Sequence, residues 1–143
     1  MSHFVTPETI RLELPGADWL LVKRRLSAGE YRAMLRRMST LNGDGTYHVD
    51  PLETGIARMV AYLVDWSFPE YPIRGKTHVD VYAACDQLDP DDFELVKEAV
   101  AAHEAAMTAE RERQKKVLGG ATASPSISPS PAAATGATNG FAT

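Results

Sequence analysis

The stretch LVKRRLSAGEYRAML, residues 21–35, changes periodicity at its midpoint. Its first half alternates apolar and basic side chains, the period-two pattern of a strand. Ser27 and Glu30 then stand in the S-x-x-E spacing of a capping box, in which the hydroxyl accepts from an amide of the first turn and the carboxylate reaches back to the cap. This spacing predicts a helix starting at Ser27. Tyr31, Met34, Leu35 and Met38 follow at helical intervals, with Arg32, Arg36 and Arg37 opposite, so an amphipathic helix is expected to about residue 40.

Toward the N-terminus, TIRLEL (residues 9–14) alternates, PGAD supplies turn chemistry and WLLVKRR (19–25) alternates again, which predicts a β-hairpin. Arg11, Lys23, Arg24 and Arg25 lie at its edges, where charge discourages stray strand pairing. Toward the C-terminus, LNGDGTYHV is expected to be a loop. Asp50, Pro51 and Glu53 then give a second helix start, and Leu52, Ile56, Met59, Val60, Leu63 and Val64 form the strongest apolar stripe in the chain. Pro69 and Pro72 stop any continuation, and Trp66, Phe68 and Tyr71 are suited to covering helix ends.

Thr77 predicts a cap for a short helix through VYAACDQL, and Asp89-Pro90 repeats the start device for a long one. Phe93, Val96, Val100, His103 and Met107 recur on one side of this last helix, flanked by alanines that permit close approach of another helix. TAERERQKK beyond Met107 has no apolar face and is expected to be solvated. From Gly119 to Thr143 the chain turns to Gly, Ala, Ser, Thr and Pro without a charge, a composition expected to be disordered. The expected fold is thus mainly α with a small N-terminal β-hairpin (α+β). It comprises a compact helical domain over residues 1–118 and a disordered tail over 119–143.

A chain of 143 residues, 44% apolar and 24% charged, suits one modest core. Residues 1–40 hold seven Lys/Arg against four Asp/Glu, whereas 41–118 hold eight against fifteen. With a pI near 5.5 the chain lacks the basic character of a nucleic-acid binder, and a protein partner is the better expectation. One cysteine, Cys85, excludes an internal disulfide framework and a thiolate-rich zinc site. MSHFVTPETI has neither a basic n-region nor an apolar h-region, and no run is long enough to cross a bilayer, so neither export by that route nor membrane insertion is expected.

Several residues invite chemistry. Asn42, Asp44, Thr46, Asp50 and Glu53 fall at ligand positions of a twelve-residue calcium loop, but Tyr47 stands where that loop needs glycine for its sharp turn. Cys85 has His78 seven residues away, without a nucleophile signature, and reads as a small buried hydrophobe. Asp89, Asp91, Asp92 and Glu94 suit a helix start, where negative charge complements the dipole. His103 reads as a packed or capping residue. Neither PGAD nor GDG forms a phosphate loop. No catalytic residue, metal or cofactor is assigned, and the chain is read as a non-enzyme.

The order of parts resembles a known family. A short hairpin ending in basic residues is followed by LSAGE opening a helix, a helix closing on LVDWSF, and then LDPDDFELVKEAVAAHEAA. This order is similar to the small tail assembly chaperones of long-tailed, siphovirus-type bacteriophages and prophages, particularly of high-GC actinobacterial hosts. The resemblance spans residues 4 to about 116. It implies a non-enzymatic helper in the host cytoplasm that coats the long apolar tape measure protein before the tail tube polymerises. It further implies recruitment of tail tube subunits and absence from the finished virion. In that family a ribosomal frameshift near the end of the frame often makes a longer form. The alternative is a structural tail or head-tail connector component retained in the virion.

Candidate partner-binding residues are of two kinds. Arg24, Arg25, Arg32 and Arg36, with Arg37, form a basic group that is either a solvated helix face or a docking surface for an acidic partner, for the chain's own acidic half or for self-association. Met34, Met38 and Met59, with Phe93, Val96, Val100 and Met107 of the last helix, are candidates for holding an apolar helix, because methionine adapts to varied shapes. Each methionine is also an ordinary core filler.

Overall fold

The computed structural model describes residues 3–122, with side chains through residue 117. It divides into two units at Met107. The first contains β1 (Thr9–Glu13), β2 (Trp19–Lys23), α1 (Ala28–Arg37), β3 (Ser39–Leu41), β4 (Tyr47–Val49), α2 (Pro51–Tyr62), β5 (Leu63–Trp66), α3 (His78–Asp86) and the start of α4 (Pro90–Thr122). In the second, α4 continues as helix to Thr122, past the glycines at which the tail was expected to begin. The expected disorder of residues 123–143 lies outside the described residues.

The N-terminal hairpin forms as its alternation predicts, with Leu12 opposite Leu20 and Ile10 opposite Val22. Its turn is a short 3-10 segment, Pro15–Ala17, closed by Leu14 N–H donating to Asp18 O at 2.8 Å. Leu20 and Val22 are fully buried, while Trp19, Leu21 and Lys23 turn the other way and remain partly exposed. On that outer side Arg11 stacks 4.8 Å from the Trp19 ring and pairs with Glu13 at 2.7 Å.

The expected fold, mainly α with a small N-terminal hairpin, is present, and β5 extends the hairpin to a three-stranded antiparallel sheet of order β1-β2-β5. Leu63 and Val64 were expected to prolong the α2 stripe. Instead the helix ends at Tyr62, and Leu63 adopts extended backbone (φ −67°, ψ 131°) while its N–H still donates to Met59 O. The strand that follows pairs Leu20 with Trp66 and Val22 with Leu63, and Val64 is the extra residue of a bulge. Ser67 fixes the exit: its Oγ accepts from Trp19 N–H at 3.0 Å and donates to Asp18 Oδ1 at 2.9 Å.

The capping box that opens α1 is present in full. Ser27 Oγ accepts from Glu30 N–H at 3.2 Å, and Glu30 Oε1 accepts from Ser27 N–H at 2.8 Å. Lys23 of β2 donates to the other carboxylate oxygen, which ties the sheet to the helix start. Ser27→Ala is expected to lower stability by about 1 kcal/mol; an unchanged denaturant midpoint would mean that the cap contributes nothing.

Glu30 carries a pH dependence. Desolvation pushes its pKa up, but hydrogen bonds from Lys23 and from the Ser27 amide and hydroxyl, together with the Lys23 charge, outweigh it and leave the value below normal. A depressed folded-state pKa gives stability that is complete above the unfolded value, about 4.3, and lost as pH falls through the folded one. Glu30→Gln should therefore flatten the stability profile below about pH 4.3, as read by denaturant melts at successive pH values.

α1 ends at Arg37, three residues short of the expected boundary, because Ser39–Leu41 is β3. The expected loop after it is a second hairpin. Asn42 N–H donates to Thr46 O at 2.6 Å, and Gly45 takes φ 88°, a conformation that favours glycine. Asp50 then caps α2 as predicted, with Oδ1 accepting from Leu52 N–H at 2.9 Å. Thr77 caps α3 and Asp89 accepts from Asp91 N–H at the start of α4.

The core gathers Leu20 and Val22, Met34 and Met38, the Ile56–Leu63 face, Val81, Ala84 and Cys85, and Val96 and Val100. Two polar ties fasten α4 within this unit. Buried His103 donates Nε2–H to Lys23 O at 2.9 Å and meets the Tyr62 ring edge-on at 5.6 Å. Glu104 accepts from Arg58 at 2.7 Å and from Tyr62 OH at 3.2 Å. Gly55, inside α2, leaves room for the Lys97 stem, since a Cβ there would stand 2.5 Å from Lys97 Cδ. That close approach accounts for a helix-interior glycine that by itself costs about 1 kcal/mol.

Candidate functional site

Of the residues singled out in the sequence, the arginines stand where a partner can reach them. Arg25, Arg32 and Arg36 are exposed, and none of their side chains has an ion pair or hydrogen bond among the described residues. Arg24 is half-buried and pairs with Glu8 at 3.3 Å. Tyr31 and Leu35 are also exposed, so the outer side of α1 mixes cationic and apolar groups.

The apolar candidates are placed differently, and five of them are corrected. Met34, Met38, Met59, Val96 and Val100 are buried, Met59 and both valines completely. They sit on the inward faces of α1, α2 and α4, where they fill the space under β2, and so they present no surface to a partner. Phe93 is half-buried against the same core, and Met107 is partly exposed.

A surface that no sequence motif marks is the β3–β4 ribbon. Antiparallel register sets Leu41 opposite Tyr47 and Ser39 opposite Val49. Directly opposed residues share a face, as do residues two apart, so Leu41, Tyr47 and Val49 lie together. They are 59%, 72% and 60% exposed, and Leu52 in the next turn of chain is exposed as well. The alternation of Tyr47 and Val49 about His48 was the available signal, but strands of three residues do not separate from a loop by pattern alone.

The calcium-loop positions are engaged locally. Asn42 donates from Nδ2 to Thr46 Oγ1 and accepts at Oδ1 from the His48 ring, Asp44 accepts from the Thr46 amide and hydroxyl, and Asp50 caps α2. Among the described residues no three His, Cys, Asp or Glu side chains are placed to hold a metal ion. Glu94 pairs with Lys97 along α4. Among the described residues no helix is long and apolar enough to cross a membrane.

Cys85 is fully buried, and desolvation, aided by the neighbouring Asp86 charge, pushes its thiol up to about 12. A covered thiol held in its protonated form is a poor nucleophile. Cys85 is expected to stay unmodified by a maleimide in the folded protein at pH 7 and to react fully in denaturant. Rapid native labelling, read by intact mass, would contradict this packing.

Comparison of the chain with known protein families, curated proteins and solved structures gives no match.

Proposed function

We propose that this chain is a tail assembly chaperone of a long-tailed bacteriophage or prophage. It holds the apolar helical tape measure protein in the host cytoplasm and helps to recruit tail tube subunits, without catalysis and without remaining in the virion. The observation that supports this reading most directly is the ribbon face of Leu41, Tyr47 and Val49. An apolar face left in water on a small protein suits docking onto another apolar surface. The α1 arginines give the same unit a means of engaging acidic groups that flank such a surface. The order of hairpin, capped helix and Asp-Pro-started helix resembles that of the tail assembly chaperones and suggests the biological role.

The test is co-expression with the long helical protein encoded nearest downstream, followed by pull-down and light scattering. A soluble complex with many copies of this chain per partner is the expected result. No complex, together with stoichiometric recovery of the chain from purified particles by mass spectrometry, would overturn the chaperone reading in favour of a permanent tail or connector subunit.

A further inference from the structure

Arg37, the last residue of α1, lines a cleft of about 350 Å³ with Glu53 and Ala57 of α2 and His78, Val79 and Tyr82 of α3. Its Nη2 donates to His78 Nδ1 at 2.9 Å. Its Nη1, shielded from solvent, has no acceptor among the described residues. A guanidinium does not lose its proton, so this is a permanent cation with an unmet donor, an unfavourable arrangement when nothing meets it.

The neighbours do not neutralise it. His78, with Nδ1 accepting, is the neutral tautomer; desolvation, then the charges of Arg37 and Lys23, push its pKa down against the opposing pull of Glu30. Lys23 and Glu30 satisfy each other. Glu53 lines the same cleft but takes its hydrogen bond from Tyr82 OH at 3.0 Å. The cleft therefore has a cation and an anion on its walls that are not paired with each other, between the apolar side chains of Ala57 and Val79.

We propose that this cleft binds a carboxylate with a hydrogen-bond donor beside it, Arg37 holding the carboxylate and Glu53 accepting from the donor. A planar carboxylate matches the fork of a guanidinium once Nη1, covered in the structure, turns toward the cleft, and the size lies at the lower end of small-ligand sites. Two sources carry this chemistry: a free hydroxy acid, and the C-terminus of a peptide, whose last amide N–H is the donor. The site is independent of the ribbon and of the assembly reading.

The test uses the full chain and NMR of its histidine ring signals, with His78→Gln identifying the His78 resonance. Titrants are the acids N-acetylglycine and glycolate, the methyl ester of N-acetylglycine, and acetate as the carboxylate without a donor. Either acid should shift the His78 signals saturably and raise its pH midpoint, because an anion on Arg37 favours the imidazolium. Tighter binding of N-acetylglycine assigns a peptide terminus, and tighter binding of glycolate assigns a free hydroxy acid. Arg37→Lys, checked for an unchanged melting temperature, should weaken binding at least tenfold. Glu53→Gln should keep carboxylate binding but lose the preference for the better acid over acetate. No saturable shift with either acid, an equal response to the ester, or undiminished binding to a folded Arg37→Lys variant would overturn the proposal.

Discussion

Trp66→Ala is expected to lower stability by about 3–5 kcal/mol, the usual cost of emptying a large aromatic site in a core. Three attachments are lost together. The indole is buried in the core cluster, donates Nε1–H to Tyr71 O at 2.8 Å and packs edge-on with Phe68 at 5.2 Å. Trp66 also stands opposite Leu20 in the sheet, so the vacancy opens beneath the central strand. The stability of a domain this size is of order 5–15 kcal/mol, and the variant should approach the threshold of unfolding at 37 °C. Guanidinium melts decide the matter: a loss below about 1 kcal/mol would mean that β5 and the segment after it are not anchored by this side chain.

The second large effect concerns binding. If the proposed function holds, Tyr47→Ser combined with Val49→Ser weakens association with the tape measure protein on the order of a hundredfold, since each apolar side chain contributes up to about 1.5–3 kcal/mol when fully covered. Stability should change by less than about 0.5 kcal/mol per substitution, because both side chains already stand in water. Equal affinity of the double variant in a competition pull-down would remove the ribbon from the interface. A matched change at Arg32 and Arg36 separates the two surfaces, because its effect should shrink as salt is raised while that of the ribbon should not.

Much of the fold was legible because its starts are written in local chemistry. Ser27 with Glu30, Asp50 with Pro51, Thr77, and Asp89 with Pro90 each mark a helix within one or two residues of where it begins. Endings were harder to read. Leu63 continues the apolar stripe of α2, and neither glycine nor proline marks the junction, so the switch to β5 comes from pairing with β2, a contact more than forty residues away in sequence. The candidate surface divided along the same line. Exposure of Arg32 and Arg36 follows from helical spacing, whereas periodicity cannot say which apolar side chains remain outside. Met34 and Met59 share the residue type expected of an adaptable surface, yet they face inward, and three short-strand residues after α1 supply the exposed apolar face instead. Arg37 looked like one more solvent-facing charge; its role at the cleft depends on the approach of α3, which no local pattern shows.

The place of β2 in the sheet also bears on how the chain is made. β1 leaves the ribosome just before β2, but the partner of Leu20 on the other side is Trp66. At about 5–20 residues per second, the open edge of β2 waits roughly 2–9 s for β5. The carbonyl of Lys23 waits longer for His103, 80 residues later. Nascent copies on one polysome are close together during this interval, and an unpaired strand is a template for its twin. Lys23 at the end of that strand and Arg24 and Arg25 just beyond it set like charges against each other when two copies pair in parallel register, so the basic residues that close the first hairpin serve the unfinished chain as a guard against that pairing.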